Sequence, residues 1–106
     1  MKTIEEVVNL ALAEASMATD KYLVANPNSW YPCGFASVKI KPARGKLVSY
    51  LKANKIGSVS YSGGYQIWNP SGSHTQSMNA KVQGADAFVK VLADNGFNAY
   101  TECRLD

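Results

Sequence analysis

Hydrophobic and polar positions follow two periods along this chain, and the switches between them mark out the elements. Between residues 3 and 25 the apolar side chains recur at helical spacing: Ile4, Val7, Val8, Ala11, Ala15 and Ala18, with Leu12 and Leu23 widening the stripe. Thr3 and Glu6 form a T-x-x-E capping box at the start, and Asn26-Pro27 ends the helix because a residue before proline avoids helical backbone. From residue 34 to 41 the period falls to two. Ala36, Val38 and Ile40 alternate with Phe35, Ser37, Lys39 and Lys41, which predicts a strand with one covered apolar face and one mixed face. Pro42 stops that strand and suits the first position of a helix over 43–54, whose inward residues are Leu47, Val48 and Leu51.

The second half repeats these signals. Residues 56–61 and 65–69 read as a hairpin about Gly63-Gly64, with Val59 and Tyr61 in phase on the first strand. The polar loop 70–76 leads into a helix over 77–95, striped by Met78, Val82, Ala85, Phe88, Val89 and Leu92. Gly96 stands where a left-handed C-cap belongs. A last strand, 97–105, puts Ala99, Thr101 and Cys103 on one face and Tyr100, Glu102 and Arg104 on the other.

The order is one helix followed by β-α-β-β-α-β. It predicts an α+β fold, a ferredoxin-like βαββαβ sandwich on a four-stranded antiparallel sheet of order 4-1-3-2, with an extra N-terminal helix. The right-handed crossover rule puts both later helices on one sheet face. The chain is expected to be a single domain, 1–106, with a leading helix at 3–25 and the ferredoxin-like core at 33–106. The leading helix must pack somewhere, and covering the open sheet face or mediating a dimer are the two expected places.

Composition changes this picture little. Hydrophobic residues make up 46% of the 106 positions, enough for one core without metal or disulfide support. No apolar run is long enough to span a membrane, and Glu5, Glu6 and Glu14 interrupt the N-terminal stretch where a secretion signal would be uncharged. A cytoplasmic setting is expected, with Cys33 and Cys103 as reduced thiols on opposite faces of the sheet.

Charge changes it more. The net charge is only +3, yet no acidic residue lies between positions 21 and 85. That stretch carries Lys21, Lys39, Lys41, Arg44, Lys46, Lys52, Lys55 and Lys81. If these bases share a surface they create a positive field suited to a phosphate-bearing partner, a nucleotide or a nucleic acid; otherwise they form a solvated face neutralised by nearby acids. The junction at Lys41, Arg44 and Lys46, with Lys39 and Arg104 alongside, is the candidate source of charge. Phe35, Trp68 and Tyr100, interleaved with these bases on the open face, are candidate stacking residues, an arrangement that single-strand-binding sheets use. The RNA-recognition motif itself is not met, since GGYQIW departs from its aromatic-rich pattern. Ser73, His74 and Gln76 would add polar contacts from a loop that precedes a helix N-terminus, where backbone N–H groups receive anions. The alternative for that loop is ordinary N-capping by Ser77. Trp30-Tyr31, between two prolines, either plugs the gap beside the leading helix or meets a partner.

No catalytic constellation is visible. His74 is the sole histidine, Cys33 and His74 have no marked relation, and one histidine with two cysteines has no ligand spacing for a metal. The expectation is a protein without catalytic activity, resident cofactor or metal. The alternative is a protein–protein interaction module or inhibitor of a host protein, working through the sheet face or the N-terminal helix. A homo-oligomer is compatible with either, and no membrane partner is expected.

The phrases CGFASVKI (33–40), KPARGKLVSYLKAN (41–54), GGYQIWNPSG (63–72), QSMNAK (76–81) and NAYTECRLD (98–106) resemble an uncharacterised family of small proteins found mainly in bacteriophage genomes. The resemblance covers the chain from Cys33 onward. It implies a host-cytoplasmic setting and a small accessory or counter-defence role exercised by binding, whether sequestering a nucleotide or blocking a host protein. It implies no catalytic residue.

Overall fold

A computed structural model of the protein describes residues 3–26, 34–60, 63–73 and 77–105. They form helix α1 (Ile4–Ala25), strand β1 (Gly34–Ile40), helix α2 (Lys46–Ala53), strands β2 (Ser58–Val59) and β3 (Tyr65–Trp68), helix α3 (Met78–Asp94) and strand β4 (Ala99–Leu105). The architecture is α+β, three helices on a four-stranded antiparallel sheet. The sheet order is β2-β3-β1-β4, which read from the other edge is 4-1-3-2, and β1 is flanked on both sides. Trp30, Tyr31, Cys33, Tyr61, His74 and Gln76 lie outside the described residues.

The elements end where their local chemistry ends them. Thr3 accepts from the Glu6 backbone while the Glu6 carboxylate accepts from the Thr3 N–H, so the capping box forms at the start of α1. Helices α2 and α3 close in the same way. The Lys55 and Gly96 N–H groups bond back to Lys52 and Ala93, and the next residues, Ile56 and Phe97, bond back to Leu51 and Leu92. Both Lys55 and Gly96 are left-handed, as this C-terminal motif requires. Because Ile56 and Phe97 belong to these turns, β2 and β4 start two residues later than the pattern predicts. Helix α2 also starts late. Pro42 does not begin it; residues 41–45 bend, Gly45 takes φ 109°, and the helix runs only from Lys46. At the hairpin, Gly64 passes so close to β1 that a side-chain carbon there would meet the Ile40 carbonyl oxygen at 2.8 Å.

The core lies on one face of the sheet. Ala36, Val38 and Ile40 of β1 and Tyr65 and Ile67 of β3 pack with Leu47, Val48 and Leu51 of α2 and with Ala85, Phe88, Val91 and Leu92 of α3. Helix α1 joins the same layer through Val7, Val8, Ala11 and Ala15 and lies chiefly along α3. It does not cover the other sheet face. The α1–α3 contact depends on small side chains. The Thr19 hydroxyl donates to the Ala80 carbonyl at 2.7 Å in the buried seam. A side-chain carbon on Gly84 would stand 2.5 Å from the Thr19 hydroxyl oxygen and 3.0 Å from the Ala15 carbonyl oxygen. Helix α3 therefore buries two faces, a larger one on the sheet and a narrow one on α1. The hydrophobic stripe identified only the first, and Met78, Val82 and Val89 are half-buried at its margin.

Candidate functional site

The helix-free face is organised by β1. Its outward residues Phe35, Ser37 and Lys39 stand opposite Arg104, Glu102 and Tyr100 of β4, and on the β3 side Ser37 faces Trp68 and Lys39 faces Gln66. Three large aromatics from three strands are exposed here: Phe35 at 39%, Trp68 at 55% and Tyr100 at 41%. Phe35 and Trp68 meet edge to face at 5.9 Å between ring centroids. The Lys81 ammonium, held at 2.9 Å by the Gly34 carbonyl, sits 5.1 Å from the Phe35 centroid. The Lys41 ammonium sits 5.7 Å from the Tyr100 centroid, also within cation–π range.

Lys39 does not serve as a surface cation. It points to this face, as its phase predicts, but is only 1% exposed. Its ammonium donates to Ser60 at 2.7 Å and lies 3.6 Å from the Glu102 carboxylate. Ser60, just past β2, and Glu102 of β4 engage it, so its charge is spent inside the sheet rather than offered to a ligand.

Lys41, Arg44 and Lys46 are brought together. With Pro42 and Gly45 they rim a cleft of about 240 Å³ at the end of β1, floored by Ile40, Leu47, Val48 and Phe97 and closed by Gly96 and Asn98. Among the described residues no carboxylate lines it. The three cations are exposed. Helix α2 begins in this rim, and its N-cap, Gly45, has no side chain to receive the first-turn N–H groups. Those groups and the positive end of the helix are left for solvent or an anion.

The start of α3 is the opposite case. Ser77 caps it, accepting from the Ala80 N–H at 3.2 Å, so ordinary capping occupies that terminus. The preceding loop is tied internally. Asn69 donates to the Ser73 carbonyl at 2.8 Å and accepts from the Ser71 hydroxyl at 3.1 Å, and the Ser73 N–H reaches the same hydroxyl at 3.3 Å. Ser73 thus belongs to a built turn, separated by the length of the sheet from the Lys41 cleft. Arg104 is at the Phe35 end of the face, exposed and opposite Phe35.

Sequence reasoning passed over Lys81, which lies on a helix one turn after its N-cap. Its signal was present, since it is the sole lysine or arginine between residues 56 and 89 and follows the loop that leads from β3 into α3. Among the described residues no helix is long and apolar enough to cross a membrane. Comparisons with protein-family models, with curated proteins and with solved structures give no match.

Proposed function

We propose that this protein is a non-catalytic binder of a phosphate-bearing ligand, a nucleotide or a nucleic acid, seated at the Lys41–Lys46 cleft and extending onto the helix-free sheet face. The observation that carries the reading is the position of Lys41, which lines the cleft with Arg44 and Lys46 and also lies against the exposed Tyr100 ring. An anion-receiving surface and a stacking surface meet at that residue. A phosphate in the cleft would face three cations and the unreceived N–H groups of α2, while an attached base would reach an aromatic ring. The strand order and the antiparallel pairings support reading the sheet and its two crossovers as ferredoxin-like, with α1 added to the helical layer. In the phage setting implied by the sequence resemblance, such a binder would sequester a nucleotide or mask a strand from host defence.

The test is fluorescence anisotropy of a labelled oligothymidine across a salt series, beside thermal-shift assays with nucleoside mono-, di- and triphosphates. For a single strand the log–log salt slope is expected at about −2, three neutralised phosphates at about 0.7 each. Arg44→Glu with Lys46→Glu should weaken binding at least about tenfold at low salt. A thermal shift with a mononucleotide and no oligonucleotide binding would assign the nucleotide version. No binding of either, or binding that ignores both salt and the charge reversal, would overturn the reading. A second reading, docking of a host protein on the sheet face, rests on the same exposed aromatics; in that case Trp68→Ala would abolish capture while the cleft reversals would not.

A further inference from the structure

The two edges of the sheet differ. At one edge β2 is two residues long, and so short a strand offers little to pair with. At the other, β4 runs for seven residues without proline, glycine or lysine, and its register with β1 is unbroken from Ala99 to Leu105. Strand β1 takes one side of β4; among the described residues nothing pairs with the other. In an antiparallel ladder alternate residues turn both backbone groups to the outside, so this edge presents a regular row of unpaired donors and acceptors.

The side chains on that row are self-complementary in one register. Two identical strands that pair antiparallel about a two-fold axis put one residue opposite its own copy. Centred on Glu102, the pairing sets carboxylate against carboxylate; centred on Arg104, guanidinium against guanidinium. Centred on Cys103, it sets Glu102 opposite Arg104 of the second copy, and the symmetry repeats the pair. Opposite charges directly across a ladder attract and like charges repel. Glu102 and Arg104 are both exposed, and Cys103 is an exposed free thiol. Glu102 approaches Lys39 through one oxygen, Oε1, leaving the other to receive a guanidinium.

We propose that the protein self-associates by pairing β4 with β4 of a second copy, centred on Cys103. The result is an eight-stranded sheet with both helix-free faces on the same side, because facing residues in an antiparallel pair point the same way. The two aromatic surfaces then form one platform. The pairing is independent of any ligand at the Lys41 cleft.

Cys103 provides the readout. Facing residues in an antiparallel pair stand about 4.5–5.5 Å apart at Cα, inside the range a disulfide spans. A Cys33→Ala chain, in which Cys103 is the one remaining thiol, is treated with copper–phenanthroline and run on a non-reducing gel. A covalent dimer is expected, retained in Arg104→Lys and reduced about tenfold in Arg104→Glu, which sets two like-charged pairs across the axis. Sedimentation of the untreated chain at rising concentration should show the same order, and circular-dichroism melts check that Arg104→Glu is folded. Absence of the dimer, or equal cross-linking in the Lys and Glu variants, overturns the proposal.

Discussion

The two faces of the sheet carry side chains of similar kind and treat them oppositely. Beneath the helices, Phe88 is fully buried and Tyr65 nearly so, its hydroxyl donating to the Ile56 carbonyl. On the other face Phe35, Trp68 and Tyr100 remain in solvent. The helical layer already holds three helices against one face, and the core closes without any of the three outer rings. These aromatics, drawn from three strands and flanked by Lys41, Lys81 and Arg104, are not needed by the core, and under the proposed function they form its contact surface. The cations of the outer face also differ: Lys39 is buried and bonded to Ser60 and Glu102, whereas Lys41, two residues on, is exposed and under the proposed function meets the ligand.

The sharpest way to break the contrast is Phe88→Ala, which should cost about 3–5 kcal/mol in urea unfolding, because the ring is fully buried within the core. Lys39→Met comes next. It removes a charge-assisted hydrogen bond to Ser60 and leaves Glu102 without its ion-pair partner, at a cost of about 1–3 kcal/mol. The salt slope of ligand binding should not change in that variant, since the Lys39 charge does not reach solvent. Tyr65 gives a smaller effect confined to alkaline solution. Burial holds its hydroxyl above the ordinary tyrosine value. The folded state therefore keeps the proton that the unfolded chain releases, and stability is intact below the ordinary tyrosine range and falls as pH rises through it. Melts of Tyr65→Phe against the parent should show this part of the alkaline loss removed. Least of all in stability, Trp68→Ala should change unfolding by no more than about 0.5 kcal/mol. The same change should weaken single-strand binding by about 1–3 kcal/mol if a base stacks there. A Trp68→Ala chain that is strongly destabilised would erase the distinction between the faces.

Much of this was legible in the pattern of residues, for identifiable reasons. Period-two alternation in β1 separates Ala36, Val38 and Ile40 from Phe35, Ser37 and Lys39 without ambiguity, and antiparallel pairing then extends the two faces to β3 and β4. The caps at Thr3 and Gly96 are local chemistry and need no tertiary knowledge. The grouping of Lys41, Arg44 and Lys46 follows from their being adjacent to one strand end. What was not legible depended on neighbours distant in sequence. Lys39 has the right phase for the surface, and its burial and its partners Ser60 and Glu102, 21 and 63 residues away, are not visible in that phase. Pro42 is a good first helical residue, but Gly45 sets the backbone turn that delays α2 to Lys46. The second face of α3 went unseen because Ala80 and Gly84 carry almost no hydrophobic signal. Their meaning is closeness, and it appears only when set beside Ala11, Ala15 and Thr19 at matching four-residue steps on α1.

That seam of small residues bears on how the length of α1 can vary. Each residue advances a helix by about 100°. A single insertion or deletion between Ala11 and Thr19 would therefore rotate one half of α1 away from α3, taking the Thr19 hydroxyl from the Ala80 carbonyl and turning bulkier side chains toward Gly84. Residues added beyond Ala25 would leave the seam untouched. The helix is thus free to lengthen past its C-terminal end and is locked in frame through its middle, so related chains that keep this packing should differ in α1 at that end and not in the spacing from Ala11 to Thr19.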